Sequence, residues 1–147
     1  MKDRINVFDL SQLPQRKAAC RQRLREEPGD ASARITLAWC LLLQTFPPSN
    51  RQAVLRALIN GNEPETPLFP HYKRRMPVGS ERHLLLKESL FEAETAAYLS
   101  TQSNDQADIA RIRDLARLLG GEAEVTEAKQ KAAALQRRFL RAILPSS

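Results

Sequence analysis

Leu24-Arg25-Glu26-Glu27-Pro28-Gly29-Asp30-Ala31-Ser32-Ala33-Arg34-Ile35-Thr36-Leu37-Ala38-Trp39-Cys40-Leu41 is a charged amphipathic segment that stops at Pro-Gly-Asp and restarts at once as an apolar one. Proline cannot continue a helix, glycine tolerates positive φ, and an aspartate accepts from the free amides of the helix that follows it. The pattern predicts two antiparallel helices joined by a tight turn. Similar punctuation recurs in both directions along the chain, and about six helices are expected.

The first helix is predicted from about Pro14 to Glu27, capped by Ser11, with Leu13, Cys20 and Leu24 as a thin apolar face. The second runs from Ala31 to about Phe46 behind Asp30. Its stretch Leu37–Leu43 leaves no polar side over two turns, so it should be the most buried element. Pro47-Pro48-Ser49 stops it, and Ser49 caps a third helix near Asn50–Asn60 with Ala53, Val54, Ala57 and Leu58 on one face. Residues 62–79 hold four of the nine prolines, which excludes helix and predicts an extended crossover. Gly79-Ser80 opens a fourth helix to about Ser100, with Leu86, Leu90, Ala93 and Ala97 in line. The fifth covers roughly Asp105–Leu119, with Ile109, Ile112, Ala116 and Leu119 at helical spacing, and Gly120-Gly121 ends it. In the sixth, Val125, Ala128, Ala132, Leu135, Phe139 and Ala142 form a regular stripe that needs a partner face, most simply the fifth helix folded back. No segment alternates with period two for long. The chain reads as all-α and as a single helical domain over residues 1–147, with a connector at 62–79 and a three-helix part at 80–147.

Leu24, Pro28, Leu37, Ala38 and Leu41 stand at the offsets that tetratricopeptide repeats use between one helical pair and the next, and residues 16–60 resemble that family. Ala19 and Leu24 lie 34 residues before Ala53 and Leu58, the length of that repeat. Arg16 and Arg23 depart from the small residues usual at their places, and Asn62 stands where the next proline would fall. The resemblance implies stacked antiparallel hairpins with a concave surface for a partner. The architecture expected is therefore tetratricopeptide-like hairpins or an irregular helical bundle.

Hydrophobic residues make up 42% of the chain and aromatics only 5%, so the core must come mainly from Leu, Ala and Ile, a palette that suits helices. The longest apolar run, Leu37–Leu43, is far short of the roughly 20 residues a membrane span needs, and the first residues lack a secretory signal. A cytoplasmic protein is expected. Its net charge of +6 resides in residues 1–80, where 13 Lys and Arg face 7 Asp and Glu, against 10 and 10 in residues 81–147. Within the latter part Glu81, Glu88, Glu92 and Glu94 form an acidic stretch, and Lys129, Lys131, Arg137, Arg138 and Arg141 a basic one. Such separation could steer an acidic partner, whether protein, RNA or DNA, but the plainer reading is a modest excess of arginine on solvated helix faces.

No motif of catalysis is legible. Cys20, Cys40, His71 and His83 have no short paired spacing of the kind that aims two ligands at one metal ion. Both cysteines fall on apolar faces, where a free thiol behaves as a small hydrophobe. There is no nucleophile elbow and no glycine-rich phosphate loop, and Glu88, Glu92 and Glu94 read as a solvated helix face. Neither an enzyme nor a cofactor or metal is expected. The expected role is a protein–protein interaction module; the alternative is a basic helical subunit that holds the backbone of RNA or DNA.

The candidate contact residues are Phe69, Tyr72, Lys73, Arg74 and Arg75, in Phe69-Pro-His-Tyr-Lys-Arg-Arg-Met-Pro77. Two aromatics and three adjacent cations in a proline-stiffened strip could stack on bases, or dock as an extended peptide on an acidic protein surface. The plainer reading is a long crossover braced by the carboxylates of the fourth helix. Replacing Lys73, Arg74 and Arg75 by Ser is expected to leave the melting temperature nearly unchanged, because exposed charges contribute little to stability. The same change should weaken partner capture about tenfold, at ~0.5–1 kcal/mol for each contact. Collapse of stability with binding intact would make the strip an internal brace.

Overall fold

The computed structural model describes residues 9–59, 78–119 and 122–143. Among them are six α-helices and no strand: α1 (Leu13–Glu26), α2 (Ala31–Gln44), α3 (Pro48–Ile59), α4 (Glu81–Leu99), α5 (Ser103–Leu119) and α6 (Glu122–Ile143). The all-α reading holds, and the helices form a bundle.

The turn at Pro28-Gly29-Asp30 joins α1 to α2 as its residues dictate. Asp30 Oδ1 accepts from the Ala33 amide at 3.0 Å, and Oδ2 accepts from Arg23 Nε at 2.8 Å. The Arg23 bond, then the Ala33 amide, hold the Asp30 carboxyl below its usual range. One side chain thus caps α2 and ties the end of α1 to it. Ser80 caps α4, accepting from the His83 amide at 3.2 Å, and Gly79 precedes it at φ 82°, a conformation that favours glycine.

Two expected caps are replaced. Ser11 does not cap α1; it donates to Asp9 through both its amide and its hydroxyl, which builds a short 3₁₀ turn over Leu10–Gln12 that runs into the helix. Ser49 is not a cap either, because α3 begins one residue earlier at Pro48, whose fixed φ suits a first helical position. The far end of α2 also closes sooner than Phe46. The Thr45 and Phe46 amides reach back only three residues, to Leu42 and Leu43, and the Thr45 hydroxyl takes the Leu42 carbonyl at 2.6 Å.

Every side chain from Leu37 to Leu43 is buried, so α2 is an axis rather than a wall. It packs most extensively on α4, and also on α1, α5 and α3. The main core draws on all six helices: Leu13, Trp39, Leu43, Val54, Leu86, Leu90, Ile109, Ile112, Val125 and Ala128 all belong to it. A smaller cluster, Cys20, Leu37 and Leu41, seals α1 against α2. Burial pushes both thiols up, that of Cys40 to about 12, as expected for cysteines that act as apolar filling.

The partner of α6 differs from expectation. It lies mainly on α4 and only secondarily on α5. Contacts along the two advance together, His83 with Glu124 and Lys87 with Glu127, so α4 and α6 run parallel with α5 returning between their ends. Val125, Ala128 and Ala132 are buried as the stripe requires, while the Phe139 and Ala142 side chains lie outside the described residues.

Leu41, fully buried beside Cys20 and Leu37, gives a test of this arrangement. Leu41→Asp buries an unpaired charge and should lower the melting temperature by about 10 °C or more. A melting curve within about 2 °C of the parent would contradict the central place of α2.

Candidate partner-binding site

Helix α4 is attached on nearly every side, and each attachment uses a different neighbour. Arg82 Nε donates to the Thr45 carbonyl beyond α2 at 2.6 Å, and Ser89 Oγ to the Ala38 carbonyl within α2 at 2.7 Å. Glu88 accepts from Arg21 of α1 at 2.6 Å, Glu92 from Arg34 of α2 at 2.9 Å, and Glu94 from Arg113 of α5 at 2.5 and 2.6 Å. Lys87 reaches Glu127 of α6 at 3.1 Å. The acidic stretch is therefore only in part the solvated face its composition predicts, at Glu81, which is exposed, and Glu88, whose side chain is 41% exposed. Glu92 and Glu94 are 8% and 3% exposed, and the helix has no single apolar side because protein surrounds most of it. Glu88, Glu92 and Glu94 already hold arginines from three helices.

His83 and Glu124 form a further buried pair at 3.2 Å. The Gly79 amide donates to His83 Nδ1 at 3.3 Å, so in the neutral ring the proton sits on Nε2 and donates to the Glu124 carboxylate. The pair joins the first turn of α4 to the first turn of α6. Among the described residues no three His, Cys, Asp or Glu side chains come together to hold a metal ion.

What α4 leaves open is its outer edge beside α6. Leu84, Lys87, Glu88 and Phe91 face Glu124, Glu127, Ala128 and Lys131 across a groove of about 380 Å³. Both walls repeat at i, i+3, i+4 and i+7, the spacing by which one helical face receives another. Leu84 is 57% exposed, and Tyr98, two heptads further along α4, is 50% exposed. A second hollow, about 610 Å³, lies between α1 and α2, but small and polar residues such as Gln15, Ala19, Ser32 and Thr36 line it. Its Arg23 is already held by Glu27 and Asp30.

The five residues singled out by sequence, Phe69, Tyr72, Lys73, Arg74 and Arg75, lie outside the described residues. The groove was not anticipated, although Leu84, Phe91 and Tyr98 recur every seven residues. Compared with protein families, curated proteins and solved structures, the chain has no match. No helix among the described residues is long and apolar enough to cross a membrane.

The Arg34–Glu92 pair yields a prediction. Burial raises the Glu92 pKa, and Arg34 opposes that rise. A raised folded-state pKa favours folding at low pH, and that contribution is lost as pH rises through it. Arg34→Met should therefore cost about 3–5 kcal/mol at neutral pH, since it strands a buried carboxylate. The deficit should narrow as pH falls toward the ordinary glutamate value of about 4.3. Replacing both partners, Arg34→Met with Glu92→Leu, should recover most of it. Denaturant titrations across pH measure all three, and a pH-independent deficit would refute the assignment.

Proposed function

We propose that this chain is a non-catalytic protein–protein interaction module, an adaptor, assembly factor or small chaperone that acts in the cytoplasm as part of a larger complex. The observation that carries the reading is the α4–α6 groove, which exposes Leu84 and sets helical spacing on both walls. A solvent-facing leucine in a groove rimmed by charged side chains is what a partner helix would cover. Ser89, Glu92 and Glu94, buried on α4, are used as internal braces to α2 and α5, and the likeness of residues 16–60 to tetratricopeptide hairpins is in keeping with a binding role.

Nucleic-acid binding is the second reading, favoured by residues 128–147, which carry five cations and no acidic residue. Backbone binding of that kind weakens steeply with salt.

Affinity capture from the native cell, with the parent chain and with Leu84→Asp, separates the two. The interaction reading expects at least one protein held by the parent, resistant to nuclease and lost by about tenfold in the variant, a loss of ~1.4 kcal/mol. Capture that disappears with nuclease and ignores Leu84 would move the assignment to nucleic acid.

A further inference from the structure

We propose that His83 is a proton-operated catch: neutral, it holds the turn at the head of α4; charged, it releases that turn and keeps hold of α6. The ring touches both. The Gly79 amide donates to Nδ1 at 3.3 Å, and Nε2 stands 3.2 Å from Oε1 of Glu124. A backbone amide is a donor only, so Nδ1 has to be the accepting nitrogen and Nε2 the protonated one. His83 and Glu124 are 5% and 6% exposed, so solvent competes little for the contact between them. The turn, by contrast, is held lightly. Gly79 lies at φ 82°, and among the described residues no atom beyond its chain neighbours lies within 4 Å of where a Cβ would stand. Val78 beside it is 77% exposed. Two side-chain ties fasten this turn to α4, and both involve His83: its amide donates to Ser80 Oγ, and its ring accepts from Gly79.

Histidine is the side chain whose ordinary charge change falls between about pH 5 and 8. A proton taken from water enters at Nδ1, the nitrogen that carries none. The imidazolium donates at both nitrogens, so Nδ1–H then faces the Gly79 N–H and two donors oppose each other. One must turn away. The ring is kept in place, because its other nitrogen now makes a charge-assisted bond to the Glu124 carboxylate. The turn gives instead, and since Gly79 is exposed, water takes over its amide at little cost. The Ser80 cap, made to the backbone of His83, survives. The surrounding charges are otherwise engaged. On α4, Glu81 is exposed, Arg82 holds the Thr45 carbonyl at the end of α2, and Lys87 pairs with Glu127. Arg51 of α3 is spent on the neighbouring carbonyls of α2. On α6, Glu127 also takes Lys131, and Glu122 takes Arg117 of α5. Glu124 is the carboxylate that meets the ring, and it offsets the positive ends of α4 and α6, which both oppose a cation here.

The test is an NMR titration of the full chain from about pH 8 down to about pH 5, following the His83 ring nitrogens and the Gly79 amide. At the alkaline end the ring is expected as the Nε2–H tautomer. As pH falls, the Gly79 amide proton should shift upfield with the midpoint of the His83 ring, while the Val125 and Ala128 signals of α6 keep their dispersion. Glu124→Gln leaves Nε2 an acceptor but removes the charge that favours the imidazolium, so both responses should move together to lower pH. His71→Gln changes the only other histidine of the chain and should alter neither. An Nδ1–H tautomer at the alkaline end overturns the proposal, as does a ring that stays neutral throughout or a Gly79 amide indifferent to the ring's titration. A response that vanishes with His71→Gln, or that Glu124→Gln leaves at the same midpoint, overturns it equally. So does loss of the α6 signals at that midpoint, because protonation would then part the helices rather than free the turn. Should Glu124→Gln fail to fold, the titration of the parent chain decides by itself.

Discussion

The Ser89 hydroxyl donates to the carbonyl of Ala38 across 2.7 Å, and this short bond sets how close α2 and α4 lie. It is the middle of three clasps on one antiparallel seam. Arg34 meets Glu92 on one side of it, and Arg82 meets the Thr45 carbonyl on the other. As α2 advances, α4 retreats by matching steps, so register is fixed along the seam's whole length. Apolar packing alone does not select a register this sharply, since leucines on both helices could slide by a turn. A polar pair buried between them cannot slide without stranding its partner. The other helices then attach to this pair: α1 and α3 to α2, α6 to α4, and α5 to both.

The far end of α2 shows the same economy of means. A helix presents unpaired carbonyls at its last turn, and these would be costly so near the core. Arg51 of α3 donates to the carbonyls of Leu43, Gln44 and Phe46, and Arg82 to that of Thr45. Two cations at the negative end of the helix also suit its dipole. Arginines that counted only as surplus charge in the composition are here structural.

Much of the fold was legible in the sequence because its punctuation is local. Asp30, Ser80 and Gly79 act on their own neighbours, and the stripe Ile109, Ile112, Ala116 and Leu119 needs only helical periodicity to be found. The misreadings have a common cause. Glu92 and Glu94 look solvated to any reading that treats charge as surface, because their arginines lie 58 and 19 residues away in sequence. Whether α6 lies on α5 or on α4 likewise depends on pairs such as His83 with Glu124, which periodicity does not contain. Leu84 was passed over because it opens Leu84-Leu85-Leu86, where a run of three conceals which member faces out. Its heptad relation to Phe91 and Tyr98 was the available signal.

Trp39 is fully buried in the main core, and among the described residues its indole N–H has no hydrogen-bond partner. Leaving a buried donor unmade costs about 1–3 kcal/mol, so the site retains the ring for its volume rather than its polarity. It is also the sole tryptophan of the chain. Fluorescence excited in this protein therefore originates almost wholly from one fully buried indole at the middle of α2. The emission colour becomes a gauge of whether water has reached that axis, and events confined to the outer edge of α4 pass without altering it.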